Sequence, residues 1–254
     1  MPERLCRRDR EEGDIVVLEI SGSSAVPARK LLGALQHQVS HLTANNEVKA
    51  IILTGTDAGF CLCAPGDDSS INDAAALSGF GQQVMFSLEK IGKPCIAAIS
   101  GACTGLGLEL ALACDFIVAS GSASFGFPGI LDGKIPFCGG TQRLARLLGK
   151  SKAKEMIFGG ELIDAVEALR IKLVNRLYDD ELIPKIQVLM AHICTRSPNA
   201  IRVGGEVINA GYDIDMRTAC MLERNAFALC FSSFDQREGM QAFLDKRQPR
   251  FKGE

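Results

Sequence analysis

Four short apolar runs, separated by segments of a different period, constrain this chain more than any other feature. Ile15 to Ile20, Val48 to Leu53, Cys95 to Ile99 and Asp115 to Ala119 read as strands. Between the first two, Leu31, Leu32, Leu35, Val39 and Leu42 recur at helical spacing within Val26 to Leu42. A second helix is predicted near Ala74 to Ile91 and a short one from about Gly105 to Ala113. Strands that alternate with helices build right-handed crossovers, so the pattern predicts an α/β fold around a largely parallel, buried sheet.

From Gly139 onward the period changes. Thr141 to Leu148, Ser151 to Phe158, Ala165 to Ile171, Glu181 to Cys194, Pro198 to Ala210, Met216 to Phe231 and Gln236 to Phe243 all read as helices. Asp164 before Ala165, Ser197 before Pro198 and Gly211 after Ala210 are ordinary helix-end signals. We expect an α/β core over residues 1–196 and a helical region over residues 197–254.

Composition narrows the function. With 254 residues and 47% apolar content the chain can bury a sizeable core. The charge sum, 28 − 30 = −2, offers no global basic field for a polyanion, which speaks against nucleic-acid binding. No tryptophan and only two tyrosines are present to build a base-stacking platform. The apolar stretches fall short of the ~18 residues that a membrane span needs. Ten cysteines are scattered through apolar runs, among them Cys95, Cys103, Cys114 and Cys230, as small buried thiols in a reducing compartment would be. The opening MPERLCRRDREEGD carries charge with no apolar stretch behind it, unlike a secretory signal, so a cytoplasmic location is expected.

One carboxylate, Glu109, lies inside the otherwise apolar run Gly105 to Cys114. It is either a complement to the positive end of its own helix or a buried group kept for chemistry, since burying an unpaired carboxylate is costly. Gly105 and Gly107 let backbone approach a ligand closely, and free N–H groups in the first turn can face an anionic oxygen. Tight packing of helix on strand explains the same pair of glycines. The dinucleotide fingerprint is absent, because Leu110 stands where it needs glycine. The stretch Gly121 to Gly140, rich in glycine, proline and serine, is the kind of loop that surrounds a site. His37 and His41 have metal-pair spacing without an acidic partner between them, His192 reads as structural, and Cys61-Leu62-Cys63 lacks the spacer of zinc and redox motifs. No metal site is expected.

Three segments carry a family resemblance: Pro94-Cys95-Ile96-Ala97-Ala98-Ile99-Ser100-Gly101, the Gly105 to Asp115 run, and Phe125-Gly126-Phe127-Pro128 through Gly139-Gly140-Thr141-Gln142-Arg143-Leu144. Together with Ala165 to Val174 and the closing Phe243-Leu244-Asp245-Lys246-Arg247, they resemble the enoyl-CoA hydratase/isomerase (crotonase) family. The resemblance implies a crotonase-like spiral of ββα units, a C-terminal helical trimerisation region, and a homotrimer or a hexamer built as a dimer of trimers. It also implies an acyl-CoA thioester substrate whose oxygen is held by two backbone N–H groups, at Ala64 and Leu106 here.

Glu109 matches the first of two glutamates that family hydratases use to place and split a water. The second falls on Gly129, so that carboxylate is missing. Asp132 is the available substitute if residues 129–133 form a helical turn, and otherwise a solvated turn residue. Asp67 and Asp68 read as a polar loop capping the next helix. Lys246, Arg247 and Lys252 are candidates for CoA phosphates or simply a solvated face. Ser21 to Pro27 replaces the family's usual segment beside the nucleotide.

The resulting expectation is an acyl-CoA-processing enzyme of hydratase or isomerase type. It needs no cofactor beyond the coenzyme A of its substrate, and Glu109 is its acid/base. The alternative is a catalytically impaired acyl-CoA-binding or assembly protein of the same fold.

Overall fold

The computed structural model describes residues 6–10, 14–20, 26–56, 59–63 and 70–254. Ala64, Asp67, Asp68 and the segment from Ser21 to Ala25 lie outside them. Two compact units divide the chain: residues 1–91 with 95–187, and residues 92–94 with 188–254.

The first unit opens with β1 (Cys6–Arg10) and β2 (Ile15–Ile20), followed by α1 (Ala28–Ala44), β3 (Ala50–Thr54), α2 (Ile71–Glu89) and β4 (Cys95–Ile99). Next come β5 (Ala102–Thr104), α3 (Leu106–Ala111), β6 (Phe116–Ala119) and β7 (Ser124–Gly126), then a 3-10 helix at Pro128–Asp132. The unit continues through α4 (Gly140–Leu148), α5 (Lys150–Gly159), β8 (Ile163–Asp164), α6 (Ala165–Arg170) and β9 (Arg176–Leu177).

Its main sheet has the order β1-β2-β3-β4-β6-β9. Every neighbouring pair from β2 to β9 is parallel, in registers such as Val16 on Ile51, Ile52 on Ile96 and Ala98 on Val118, and β1 is an antiparallel edge. All residues of β3 and β4 are buried, which is why those runs are continuously apolar rather than alternating. The helical stripe expected on α1 faces this core, with Leu31, Leu32, Leu35, Val39 and Leu42 all fully or nearly buried.

Three readings need correction. The strand β1 is so charged that no periodicity announced it. The helix expected from Gly105 to Ala113 stops at Ala111, because Ala113 and Cys114 bond three residues back, to Leu110 and Ala111, and tighten the last turn. The region after Gly139 is not wholly helical, since β8 pairs with β7 and β9 pairs with β6. Two residues suffice to extend an edge that already exists, and so short a strand leaves no pattern.

A second sheet, β5-β7-β8, positions the site. It delivers the chain to Gly105, whose N–H donates to the Gly126 carbonyl at 3.2 Å and whose φ of 53° turns the backbone into α3. The N–H of Phe60 donates to Ala102 at 2.8 Å, bringing residues 60–63 beside α3. Gly107 is needed there, because a β-carbon would stand 2.3 Å from the Phe60 carbonyl oxygen.

The second unit holds the end of α7 (Leu182–Cys194), then α8 (Pro198–Gly211), α9 (Met216–Phe231) and α10 (Phe234–Leu244). Buried Asp235 ties it together, accepting from the Ser197 hydroxyl at 2.6 Å and the Lys252 N–H at 2.7 Å. Among the described residues no helix is long and apolar enough to cross a membrane.

Candidate active site

Glu109 sits in the first turn of α3 and is fully buried. Its carboxylate is directed at the start of α4. Oε1 accepts the N–H of Cys138 at 2.7 Å and that of Gly140 at 2.8 Å. Gly140 is the first residue of α4, so its amide has no partner within the helix and the helix dipole adds to its pull on a negative charge, while Cys138 lies in the loop just before the N-cap Gly139. Oε2, equally buried, has no hydrogen-bond partner among the described residues. Burial raises the Glu109 pKa, while the N–H groups of Gly140 and Cys138 and the charge of Arg143 oppose the rise. One oxygen is thus anchored and, among the described residues, the other is not.

Glu109 lines a cavity of about 240 Å³ whose walls include Cys61, Leu62, Cys63, Leu106, Phe127, Gly129, Asp132, Lys134, Ile135 and Phe137. Leu106 is the first residue of α3, and no hydrogen bond among the described residues uses its N–H. The Cys63 thiol is pushed up to about 11 by burial and by the charge of Glu109. It is therefore protonated at neutral pH, a poor nucleophile.

Gly129 lies in the cavity wall, in the 3-10 helix. Asp132, three residues on, shares that face because side chains at i and i+3 eclipse in this geometry. It is exposed at the mouth of the cavity, as is Lys134. The helical turn that would let Asp132 substitute is present, yet its carboxyl is solvated where that of Glu109 is dry.

The basic residues near the chain end belong to the second unit. Arg247 is held by Glu238 at 2.6 Å and by Asp245 at 3.3 Å, and the Lys252 ammonium lies 4.5 Å from the centre of the Phe234 ring. Lys246 is exposed. A cavity of about 720 Å³ in this unit is lined by Arg202, Glu206 and Arg237, of which Arg202 and Glu206 form an exposed ion pair. His37 and His41 are exposed on α1, and among the described residues no cluster of three or more metal-ligating side chains occurs.

Sequence reasoning found Glu109 and missed what holds it. The donors at Cys138 and Gly140 are backbone amides, which no side-chain pattern reveals; the only signal was the paired glycine at the end of the loop. Lys134, in the cavity wall, carried no signal, and Cys63, also in the wall, stood out only in Cys61-Leu62-Cys63, which lacks the zinc and redox spacer.

The chain is similar to known proteins over nearly its whole length. The family model described as enoyl-CoA hydratase/isomerase matches residues 28–254. A crotonyl-CoA hydratase of Syntrophomonas wolfei is 36% identical over 248 residues, 95% of each chain. A short-chain-enoyl-CoA hydratase of Clostridium acetobutylicum is 36% identical over 94% of each. The crystal structure of an enoyl-CoA hydratase from Bacillus anthracis superimposes with a TM-score of 0.90 at 32% identity, over 98% of this chain and all of the other.

Proposed function

The chain belongs to the enoyl-CoA hydratase/isomerase family and is an acyl-CoA-processing enzyme of that type, and we propose that it works with a single carboxylate, Glu109. The observation that carries this reading is that, among the described residues, the buried Oε2 of Glu109 has no hydrogen-bond partner, and that Glu109 lines the same cavity as Leu106, whose N–H no hydrogen bond among those residues uses. In the proposed reaction the thioester oxygen accepts hydrogen bonds from the N–H groups of Leu106 and Ala64. Oε2 takes a proton from a carbon next to the thioester or its double bond. The electron pair of the broken C–H bond moves toward the thioester oxygen, where the two donors stabilise the developing enolate charge. The same carboxyl then returns the proton to the carbon at the far end of the conjugated system, and the double bond has moved.

That cycle needs one base, and Glu109 supplies it. Adding water across the double bond needs a placed water as well, and the position of the second carboxylate is Gly129. We therefore expect isomerisation of a 3-enoyl thioester to outpace hydration of the matching 2-enoyl thioester. Incubation with both classes at several chain lengths, with product identification, tests this; hydration faster than isomerisation at every length would reject it. The reading uses no cofactor other than the coenzyme A of the substrate.

We also propose a homotrimer or a dimer of trimers. The apolar side chains of Met216, Phe227, Leu229 and Phe231 on α9 are exposed, which supports their burial against other copies. Sedimentation of a stable monomer at micromolar concentration would rule this out.

A further inference from the structure

Three consecutive peptide groups form the cradle of the Glu109 carboxylate: Ser78 and Gln82 donate to the Phe137 carbonyl of the first, at 2.7 and 3.3 Å, and Arg143 grips the middle one. The first peptide supplies the N–H of Cys138 and the third that of Gly140, both to Oε1. The middle peptide presents the Cys138 carbonyl, which accepts Nη1 of Arg143 at 3.0 Å. Because each peptide is a rigid plane, fixing the middle one limits how far the two donors can turn.

Arg143 is itself held from two other directions. Its Nε donates to Glu89 at 2.6 Å, and its guanidinium carbon lies 5.2 Å from the centre of the Phe86 ring. Both partners lie on α2. The guanidinium also lies close against the loop, since a β-carbon on Gly139 would be 2.2 Å from Nη1. The side chain is 13% exposed, so its charge acts on Glu109 with little screening by water.

We infer that Arg143 is a positioning residue for the reaction, acting through the Cys138 carbonyl to aim Glu109 and through its charge to keep that carboxyl ionised. The inference rests on the reading of Glu109 as the acid/base. It assigns the ion pair of Arg143 with Glu89 a role in the chemistry rather than in folding alone. Among the described residues the other ionisable groups around Glu109 are Cys61, then Cys63 and Cys138, whose thiols burial keeps protonated, and Asp132 and Lys134 at the mouth of the cavity. Among the described residues Arg143 is the one cation whose charge lowers the Glu109 carboxyl.

The test compares wild type with Arg143→Gln, Arg143→Lys and Glu89→Gln in the full chain. Isomerisation of a four-carbon 3-enoyl-CoA is followed against pH. The protonated Glu109 carboxyl is followed without substrate by infrared difference spectroscopy, with Glu109→Gln as the blank. For Arg143→Gln we expect kcat to fall about 10²-fold, the usual cost of misplacing a reacting group by an ångström, with KM little changed. The acid limb of the profile and the infrared titration should both move to higher pH. Arg143→Lys keeps the charge but cannot bridge Glu89 and Cys138 together, so it should restore the titration and only part of kcat.

Unmoved titration and unchanged kcat in Arg143→Gln would overturn the inference. So would a lower melting temperature in all three variants with both pH readouts unchanged, since that is what a purely structural ion pair gives. If Arg143→Gln does not fold, Arg143→Lys and Glu89→Gln carry the test through the same two readouts. Full activity in Glu109→Gln would instead reject the reading of the site, while the infrared titration would still decide whether Arg143 governs its carboxyl.

Discussion

Glu109 occupies the space that a side chain at Gly140 would take. A β-carbon on Gly140 would lie 2.8 Å from Cγ and 2.9 Å from Oε1 of Glu109, and 3.0 Å from Cβ of Pro136. The same residue donates its N–H to that oxygen at 2.8 Å. The carboxylate and the backbone of α4 thus approach as closely as atoms allow, and the missing side chain is what permits the hydrogen bond.

Gly140→Ala should therefore disable the site more than the fold. The far end of Glu109 is the part best able to move, so the overpacking cost should stay near ~1–3 kcal/mol while the carboxylate loses its anchor. We expect kcat to drop by about 10² with the circular dichroism spectrum preserved. Wild-type turnover in this variant would show that the anchored geometry is not needed.

Gly129→Glu should be accommodated. A β-carbon there meets nothing nearer than Cβ of Lys134 at 3.7 Å, an ordinary contact, and the backbone is not in the left-handed region that favours glycine. The variant should melt close to wild type and raise the ratio of hydration to isomerisation, because a second carboxylate can then hold a water. Asp132→Asn, altering an exposed carboxyl, should change turnover less than threefold, well short of the loss expected at a proton-transfer group. A tenfold loss would place Asp132 in the chemistry.

Stability should report the cost of keeping Glu109 dry. Burial raises its pKa above the usual 4.5, so the folded state binds more protons than the unfolded state between 4.5 and the folded value. Stability then falls as pH rises through that window. Glu109→Gln removes the ionisable group and keeps the shape. The variant should be the more stable protein at neutral pH, with the difference shrinking as pH falls through that window and level below 4.5. Equal melting curves at every pH would mean the carboxyl is not strained by its burial.

How much was legible follows from what each feature is made of. The stripe of Leu31, Leu35 and Leu42 and the buried runs of β3 and β4 are side-chain patterns, and they appear where periodicity put them. Glu109 was visible as a lone charge in an apolar helix. The small sheet of β5, β7 and β8 was not, because strands of two or three residues carry no alternation and are defined by partners far along the chain. The cradle of Glu109 is backbone from a loop 29 residues away, and backbone donors leave no mark in residue type beyond the glycine that makes room for them. Arg143 stood in the family motif, but its bonds to Glu89 and Cys138 depend on α2 lying beside α4's first turn.

Exchange of the α-protons of butyryl-CoA for deuterium in D2O, followed by proton NMR, tests the single-carboxylate account most directly. Exchange needs only the base and the oxygen-binding amides, and is independent of whether water or a double bond is handled afterwards. The account predicts measurable exchange with wild type, a loss of roughly 10² to 10⁴ in Glu109→Gln, and retained binding of the thioester by that variant. Exchange at the wild-type rate in Glu109→Gln would contradict it.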